Sequence, residues 1–283
     1  MTAYLRPGSV ELALAARAQH PDWIVLAGGT DLMVAADKQD PPPGILDIFG
    51  LPELTSIEEE ADGAVIIGAA APYASMLTSE LVARELPLLH AAAREVGAAQ
   101  IQARGTLGGN IGTSSPVGDS LPVLLALDAE IVLGSTGGRR WVPYRDFCTG
   151  YRATVLGPDE LMLAVRFPPR PAGLIQVWRK VGTRRAQSIS KVAMAAAATL
   201  DDGRIAHVRI GLGAVADRPF RARGVEAALA GQVPGEAVAE AARRALAAEI
   251  APIDDVRSTA DYRLGVAQNL VARFVMRLAE QSA

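Results

Sequence analysis

The run Pro168-Pro169-Arg170-Pro171-Ala172-Gly173 divides this chain in two. Proline has no backbone N–H and a fixed φ, so three of them within four positions suit neither a helix interior nor an inner strand. The closing glycine completes a stretch suited only to a connection. Each side must therefore build its own secondary structure, and the two sides read differently.

Ahead of the break, Ser9 stands as an N-cap with Glu11 in the first turn, predicting a helix from Val10 to His20 that Pro21 stops. Short strands are expected at Trp23–Ala27, Gly44–Ile48 and Ala64–Ala69, and an alternating segment at Glu130–Leu133. Between them, Ser79–Gly97 carries a helical pattern with a break at Pro87. Beyond the linker, Ile175–Val181, Val192–Leu200 and Ile205–Ala214 read as strands, the last two joined by the hairpin signal Asp201-Asp202-Gly203. Alanine-rich helices are expected at 221–230, 236–248 and 259–280. The expected division is a glycine-loop domain over 1–170 and a smaller α+β domain over 174–283.

Composition narrows the chemistry. Half of the 283 residues are apolar and 21% are charged, enough for a well-buried core. A net charge of −3 gives no chain-wide electrostatic footprint for nucleic acid. Cys148 is the single cysteine, so the chain cannot supply the four thiolates that a [2Fe–2S] cluster needs, and it suits a reducing compartment. His20, His90 and His207 are scattered and match no metal-ligand spacing. The N-terminus shows no targeting segment, and the apolar runs fall far short of the ~20 residues that span a bilayer. A cytoplasmic protein without a membrane span is expected.

Two glycine pairs are the best candidates for a site. Gly28-Gly29-Thr30 follows a strand, and Gly108-Gly109-Asn110 follows a helix. Adjacent glycines let backbone N–H groups close on an anion because no Cβ intervenes, and Thr and Asn add donors. Two such loops in one domain would clasp the two phosphates of a dinucleotide. Taken alone, each pair reads more readily as a tight turn, and neither fits GxGxxG or a P-loop.

Taken together with their neighbours, the motifs carry more. Val25-Leu26-Ala27-Gly28-Gly29-Thr30-Asp31-Leu32, Thr106-Leu107-Gly108-Gly109-Asn110-Ile111 and Ser115-Pro116-Val117-Gly118-Asp119 resemble the FAD-binding subunit of the xanthine dehydrogenase and carbon monoxide dehydrogenase family, the molybdenum hydroxylases. The resemblance includes the opening Tyr4–Ala13. It continues through Asp159–Pro168 and Arg179–Ala186 and ends with Asp255–Arg263, so it covers nearly the whole chain in order.

That resemblance implies an α+β fold: an FAD-binding domain of the vanillyl-alcohol-oxidase (PCMH) type in two subdomains, then a small C-terminal α+β domain. It implies that residues 25–32 form one pyrophosphate loop and residues 106–110 another, and that Asp119 hydrogen-bonds the cofactor. Met162 falls where an apolar residue lies near the flavin, and Lys180 at a cofactor-contacting position. The implied cofactor here is FAD, with [2Fe–2S] clusters and the molybdenum cofactor in partner subunits, commonly as a dimer of heterotrimers. Electrons would reach FAD from the clusters and leave to NAD, a quinone or oxygen, with no catalytic acid or base in this chain. A stand-alone flavin oxidoreductase on the same fold and a nucleotide-binding regulatory module are the competing readings.

Other residues have blander readings. Tyr73 and Tyr151 shape either a flavin pocket or ordinary packing, and packing is favoured for both. Arg179, Lys180, Arg184 and Arg185 form either a phosphate or partner contact or a solvated strand end. Cys148 reads as a small buried hydrophobe. Asp254, Asp255 and Arg257 read as a helix start rather than a docking surface.

Overall fold

The computed structural model describes residues 2–35, 40–184 and 186–282. Arg185, counted above in the basic cluster, lies outside the described residues.

β1 (Ala3–Leu5) leads into α1 (Val10–Gln19), whose N-cap is Ser9 as expected, its Oγ accepting from the Leu12 N–H at 3.3 Å. β2 (Ile24–Leu26), the short α2 (Leu32–Ala35) and β3 (Gly44–Asp47) follow. β1 and β2 both pair in parallel with β3, giving the order β1-β3-β2.

Next come β4 (Ile57–Glu59) and β5 (Val65–Gly68), then a helical stretch. It comprises α3 (Tyr73–Thr78), α4 (Glu80–Glu85), α5 (Pro87–Ala93), α6 (Ala99–Gln102), α7 (Leu107–Thr113) and α8 (Leu121–Ala126). Pro87 makes the expected break: α4 ends before it, and Pro87 opens α5. Two strands, β6 (Glu130–Ser135) and β7 (Gly138–Pro143), precede a small ladder of β8 (Cys148–Gly150) with β9 (Ala153–Thr154). β10 (Leu161–Phe167) then inserts between β5 and β6, completing an antiparallel sheet of order β4-β5-β10-β6-β7. Its apolar side chains join those of α3, α4, α5, α7 and α8 in one core.

After the linker, β11 (Ile175–Val181), β12 (Val192–Asp201), β13 (Arg204–Gly213) and β14 (Phe220–Arg221) form an antiparallel sheet in that order. Asp201 pairs with Arg204, leaving Asp202 and Gly203 at φ 47° and 71°, the two left-handed positions that a two-residue hairpin turn needs. α9 (Arg223–Leu229), α10 (Glu236–Glu249) and α11 (Ala260–Ser282) follow. Among the described residues no helix is long and apolar enough to cross a membrane. The α+β class expected from the sequence is the observed one.

The two halves meet on β12. Side chains alternate across a strand, and here Val192, Met194, Ala196 and Ala198 enter the core under α9–α11, while Ala195 joins the core of the first half. Covered on both faces, this strand reads as a continuous run of small apolar residues. α8 lies against β12 and β13 so closely that a Cβ on Gly211 would overlap the Pro122 carbonyl. Asp128, just beyond α8, adds charge to the contact, accepting from Arg209 Nε at 2.8 Å and Arg221 Nη1 at 2.7 Å.

Candidate cofactor site

The first glycine pair sits in the turn between β2 and α2. Gly29 adopts φ +75°, a left-handed value that reverses the chain at little cost only for glycine. A Cβ on Gly28 would collide with the Arg104 carbonyl, so this turn packs directly on residues 104–105. Residues 23–30 are half-buried. Among the described residues the backbone N–H groups of residues 28–32 donate to no acceptor. A run of five such donors in a half-buried turn calls for an acceptor from outside the chain.

The second pair differs from expectation: Gly108 and Gly109 form no open loop but the first turn of α7. Thr106 caps that helix, its Oγ1 accepting from Gly109 N at 3.0 Å. The N–H groups of Leu107, Gly108 and Asn110 go to the carbonyls of Ala71, Ala69 and Thr106. The backbone donors of residues 107–110 are thus satisfied within the protein. What α7 offers instead is a bare surface. Gly109 and Gly112 lie three residues apart, on one exposed face of the helix. A Cβ on Gly112 would meet nothing within 4 Å, and one on Gly109 would meet only Thr106 Oγ1, at 2.8 Å. Gly112 stands in the same glycine run, two residues beyond Asn110.

The structure brings the two segments together. Thr30 Oγ1 lies 3.3 Å from where a Cβ of Gly105 would stand. Thr113 donates to Asp31 Oδ2 at 3.3 Å, and Arg152 lies 3.7 Å from the same oxygen. The one carboxylate in the first turn is thereby directed toward a guanidinium.

Asn110 is oriented from below. The buried Ser120 hydroxyl donates to Asn110 Oδ1 at 2.8 Å. One hydroxyl has one proton, so the fully buried Tyr73 O–H, 2.9 Å from Ser120 Oγ, is the donor of that second bond. Tyr73 is therefore a core residue, as favoured, and burial raises its phenol above the ordinary range. With its oxygen engaged, Asn110 has its amide N–H groups left to offer.

Asp119 and Lys180 meet each other. Lys180 Nζ donates to Asp119 Oδ2 at 2.6 Å and to the Glu95 carbonyl at 3.0 Å, with its side chain only 3% exposed. Asp119 Oδ1 accepts from Ser190 Oγ at 2.5 Å. Burial pushes the Asp119 carboxyl up from the usual carboxylate range, against the opposing pull of Lys180 and Ser190. Each carboxylate oxygen keeps a lone pair for a further donor. Ser190, 1% exposed, gave no signal in the sequence beyond being a polar residue at the head of an apolar strand.

The remaining candidates are scattered. Val25 and Leu26 belong to β2, Ala27 follows it, and Leu32 opens α2. Met162 is buried in β10 at the register shift between residues 162 and 164, within the core of the first half. Among the described residues the basic cluster does not assemble. Lys180 is buried, its neighbour Arg179 is exposed on the opposite strand face, and Arg184 turns back to the Ala186 and Gln187 carbonyls. Tyr151 is exposed. Cys148 is half-buried, accepting from Ser114 Oγ at 3.2 Å. It borders a cleft of about 390 Å³ between the halves, where Arg221 is already paired with Asp128 and Glu226. Asp254 lies in the loop ahead of α11 and accepts from Ala260 N, the first residue of that helix, at 2.5 Å.

Residues 1–170 match the family described as FAD binding domain in molybdopterin dehydrogenase, and residues 178–278 match the CO dehydrogenase flavoprotein C-terminal domain. The nicotine 6-hydroxylase medium subunit of Paenarthrobacter nicotinovorans is 33% identical over 275 residues, 96% of this chain and 95% of that one. A xanthine dehydrogenase FAD-binding subunit of Escherichia coli O157:H7 is 30% identical over 96% of this chain and 94% of its own. Among solved structures, a carbon monoxide dehydrogenase from Hydrogenophaga pseudoflava superposes with TM-score 0.94 at 32% identity, covering all of this chain and 98% of that one.

Proposed function

Since the chain belongs to the family of FAD-binding subunits of molybdopterin dehydrogenases, we propose that it is the electron-transfer flavoprotein of a molybdenum hydroxylase complex. It receives electrons from [2Fe–2S] clusters of an iron–sulfur subunit and passes them to an external acceptor, NAD, a quinone or oxygen. FAD supplies the chemistry, because when bound it accepts electrons singly and releases them in pairs.

The observation that carries this reading is the backbone surface between β2 and α7. The N–H groups of residues 28–32 have no acceptor among the described residues, and they stand beside a helix face left bare at Gly109 and Gly112. A pyrophosphate supplies acceptors to the first and fits against the second. The donor set suits the group: backbone N–H, the Asn110 amide and the Thr30 hydroxyl. The Asp31 carboxylate beside them is held by Arg152 and Thr113.

On this reading Val25 to Leu32 and Thr106 to Asn110 cradle the phosphates. Asp119 accepts from a cofactor hydroxyl with the lone pairs that Lys180 and Ser190 leave. Lys180 gives two of its three ammonium donors to Asp119 and the Glu95 carbonyl and keeps the third for the cofactor. Met162, buried in β10, would offer the flavin an apolar contact. Residues 1–170 act as the FAD-binding domain and 174–283 as the C-terminal domain. The partners are an iron–sulfur subunit and a molybdenum-cofactor subunit, assembled as a dimer of heterotrimers in the cytoplasm.

The test is to purify the chain with and without co-expressed neighbours and record its visible spectrum before and after denaturation. Flavin bands whose chromophore is released as FAD, together with co-purifying iron–sulfur and large subunits, support the reading. A colourless, folded chain that takes up no added FAD overturns it.

A further inference from the structure

The motif Asp255–Arg263 lies in the C-terminal half, ahead of and within the start of α11, apart from the glycine turns of the cofactor site. Arg263 explains its presence. Its side chain is 3% exposed, and a guanidinium is seldom buried without several partners. Nη2 donates to Asp255 Oδ1 at 2.8 Å, while Nη1 donates to the Lys191 carbonyl at 2.7 Å and the Ala214 carbonyl at 3.3 Å.

Those two carbonyls are not arbitrary anchor points. Lys191 directly follows Ser190, whose hydroxyl donates to Asp119 Oδ1 at 2.5 Å. Ala214 itself donates through its N–H to the Pro116 carbonyl at 2.8 Å, at the other end of the 115–119 turn. One guanidinium therefore spans the entry to β12 and the exit from β13, and each of those places holds one end of the turn that presents Asp119. On the Ser190 side a single peptide unit joins two consecutive hydrogen bonds, and on the other the 115–119 turn is closed by the Gly118 N–H to the Ser115 carbonyl, so little slack separates the guanidinium from the carboxylate.

We propose that Ser190 and Arg263 are positioning residues of the cofactor site, fixing the Asp119 carboxylate from the C-terminal half so that α11 and its leading segment govern cofactor affinity. This rests on the FAD reading above and adds residues to it. Neither residue touches the cofactor. Ser190 sets the rotamer of Asp119 by holding Oδ1 while Lys180 holds Oδ2. Arg263, kept in place by Asp255, sets the positions of Ser190 and Pro116. A carboxylate held at both oxygens by the protein presents its remaining lone pairs in a fixed direction; released at one, it turns about Lys180 and loses that direction.

The experiment uses the full chain co-purified with its partner subunits, in the wild type, in Ser190→Ala, Ser190→Thr and Arg263→Lys, and in the double variant Ser190→Ala, Arg263→Lys. FAD affinity is measured by flavin fluorescence on reconstitution, the midpoint potential of the bound flavin by redox titration, and unfolding of the FAD-free chain by thermal melting. Ser190→Ala should weaken FAD binding about tenfold and shift the potential while leaving the FAD-free melt within a few degrees of wild type. Ser190→Thr, which keeps the hydroxyl, should restore both readings. Arg263→Lys should change them in the same direction, and its effect should not add to that of Ser190→Ala, because both act on one carboxylate. A Ser190→Ala protein with wild-type affinity and potential, or a Ser190→Thr protein no better than the alanine variant, would overturn the proposal. Should the wild type itself take up no FAD, the cofactor reading falls, and this one with it.

Discussion

Lys180 Nζ lies 2.6 Å from Asp119 Oδ2, in a pair whose side chains are 3% and 12% exposed and which joins β11 of the second half to the turn before α8 of the first. A buried pair of this kind contributes little net stability relative to matched apolar groups, but breaking it on one side is costly.

Lys180→Met should therefore leave Asp119 uncompensated and cost about 3–5 kcal/mol of unfolding free energy, read from denaturant midpoints. The double variant Asp119→Leu, Lys180→Met should recover most of that stability in the FAD-free chain but none of the FAD content. Recovery of both together would mean that the pair serves the fold alone.

Gly112 provides a substitution whose two effects point in opposite directions. Nothing lies within 4 Å of a Cβ there, and replacing a helical glycine by a good helix former stabilises by about 0.5–1 kcal/mol. Gly112→Leu should raise the melting temperature of the FAD-free chain while sharply lowering FAD content. Full occupancy in this variant would move the cofactor off the bare face of α7. Gly109→Val is the less clean probe, because its Cβ presses on the capping Thr106 hydroxyl.

At Gly28 the two effects should coincide. An added methyl meets the Arg104 carbonyl, backbone against backbone, so neither side yields readily. Gly28→Ala should cost about 1–3 kcal/mol of stability and lower FAD content as well. A variant that melts like wild type would show that the β2–α2 turn stands away from residues 104–105.

Asp255 should reveal itself in acid. Desolvation pulls its carboxyl up, but the Arg257 N–H, the Arg263 guanidinium and the Ser258 N–H outweigh that and hold it at about 2. A depressed carboxyl contributes its stability in full above its unfolded value of ~3.9, and the contribution drains away as pH falls through the folded value. Asp255→Asn should be less stable than wild type at neutral pH, and the gap should close between roughly pH 4 and pH 2. A gap unchanged across that range would mean that Arg263 does not hold the charged form.

Much of this fold is visible in local chemistry. Ser9 capping α1, Pro87 opening α5 and Asp202-Gly203 turning β12 into β13 each follow from what one residue type does to its own backbone. The second glycine run misled for a related reason. Gly108-Gly109 reads as a loop by propensity, yet the Thr106 cap and the Ala69 carbonyl, brought by a strand some forty residues earlier, hold it in a helix. Local propensity is a weak prior against such tertiary partners. Ser190 lay beyond sequence reasoning because its significance is a single hydrogen bond to a residue 71 positions away. The resemblance marked Asp119 and Lys180 separately as cofactor contacts, and only three dimensions show them holding each other.

The shared burial of β12 bears on how such a chain can be recombined. Ala195 packs under the first half and Ala196 under α9–α11, and Gly211 receives the backbone of α8. A hybrid that joins this C-terminal half to a relative's N-terminal half at the proline-rich connection would set a foreign α8 on a sheet shaped for another. The workable graft carries α8 along with β12 and β13 as one block, so the natural cut in the sequence is not the natural cut in the solid.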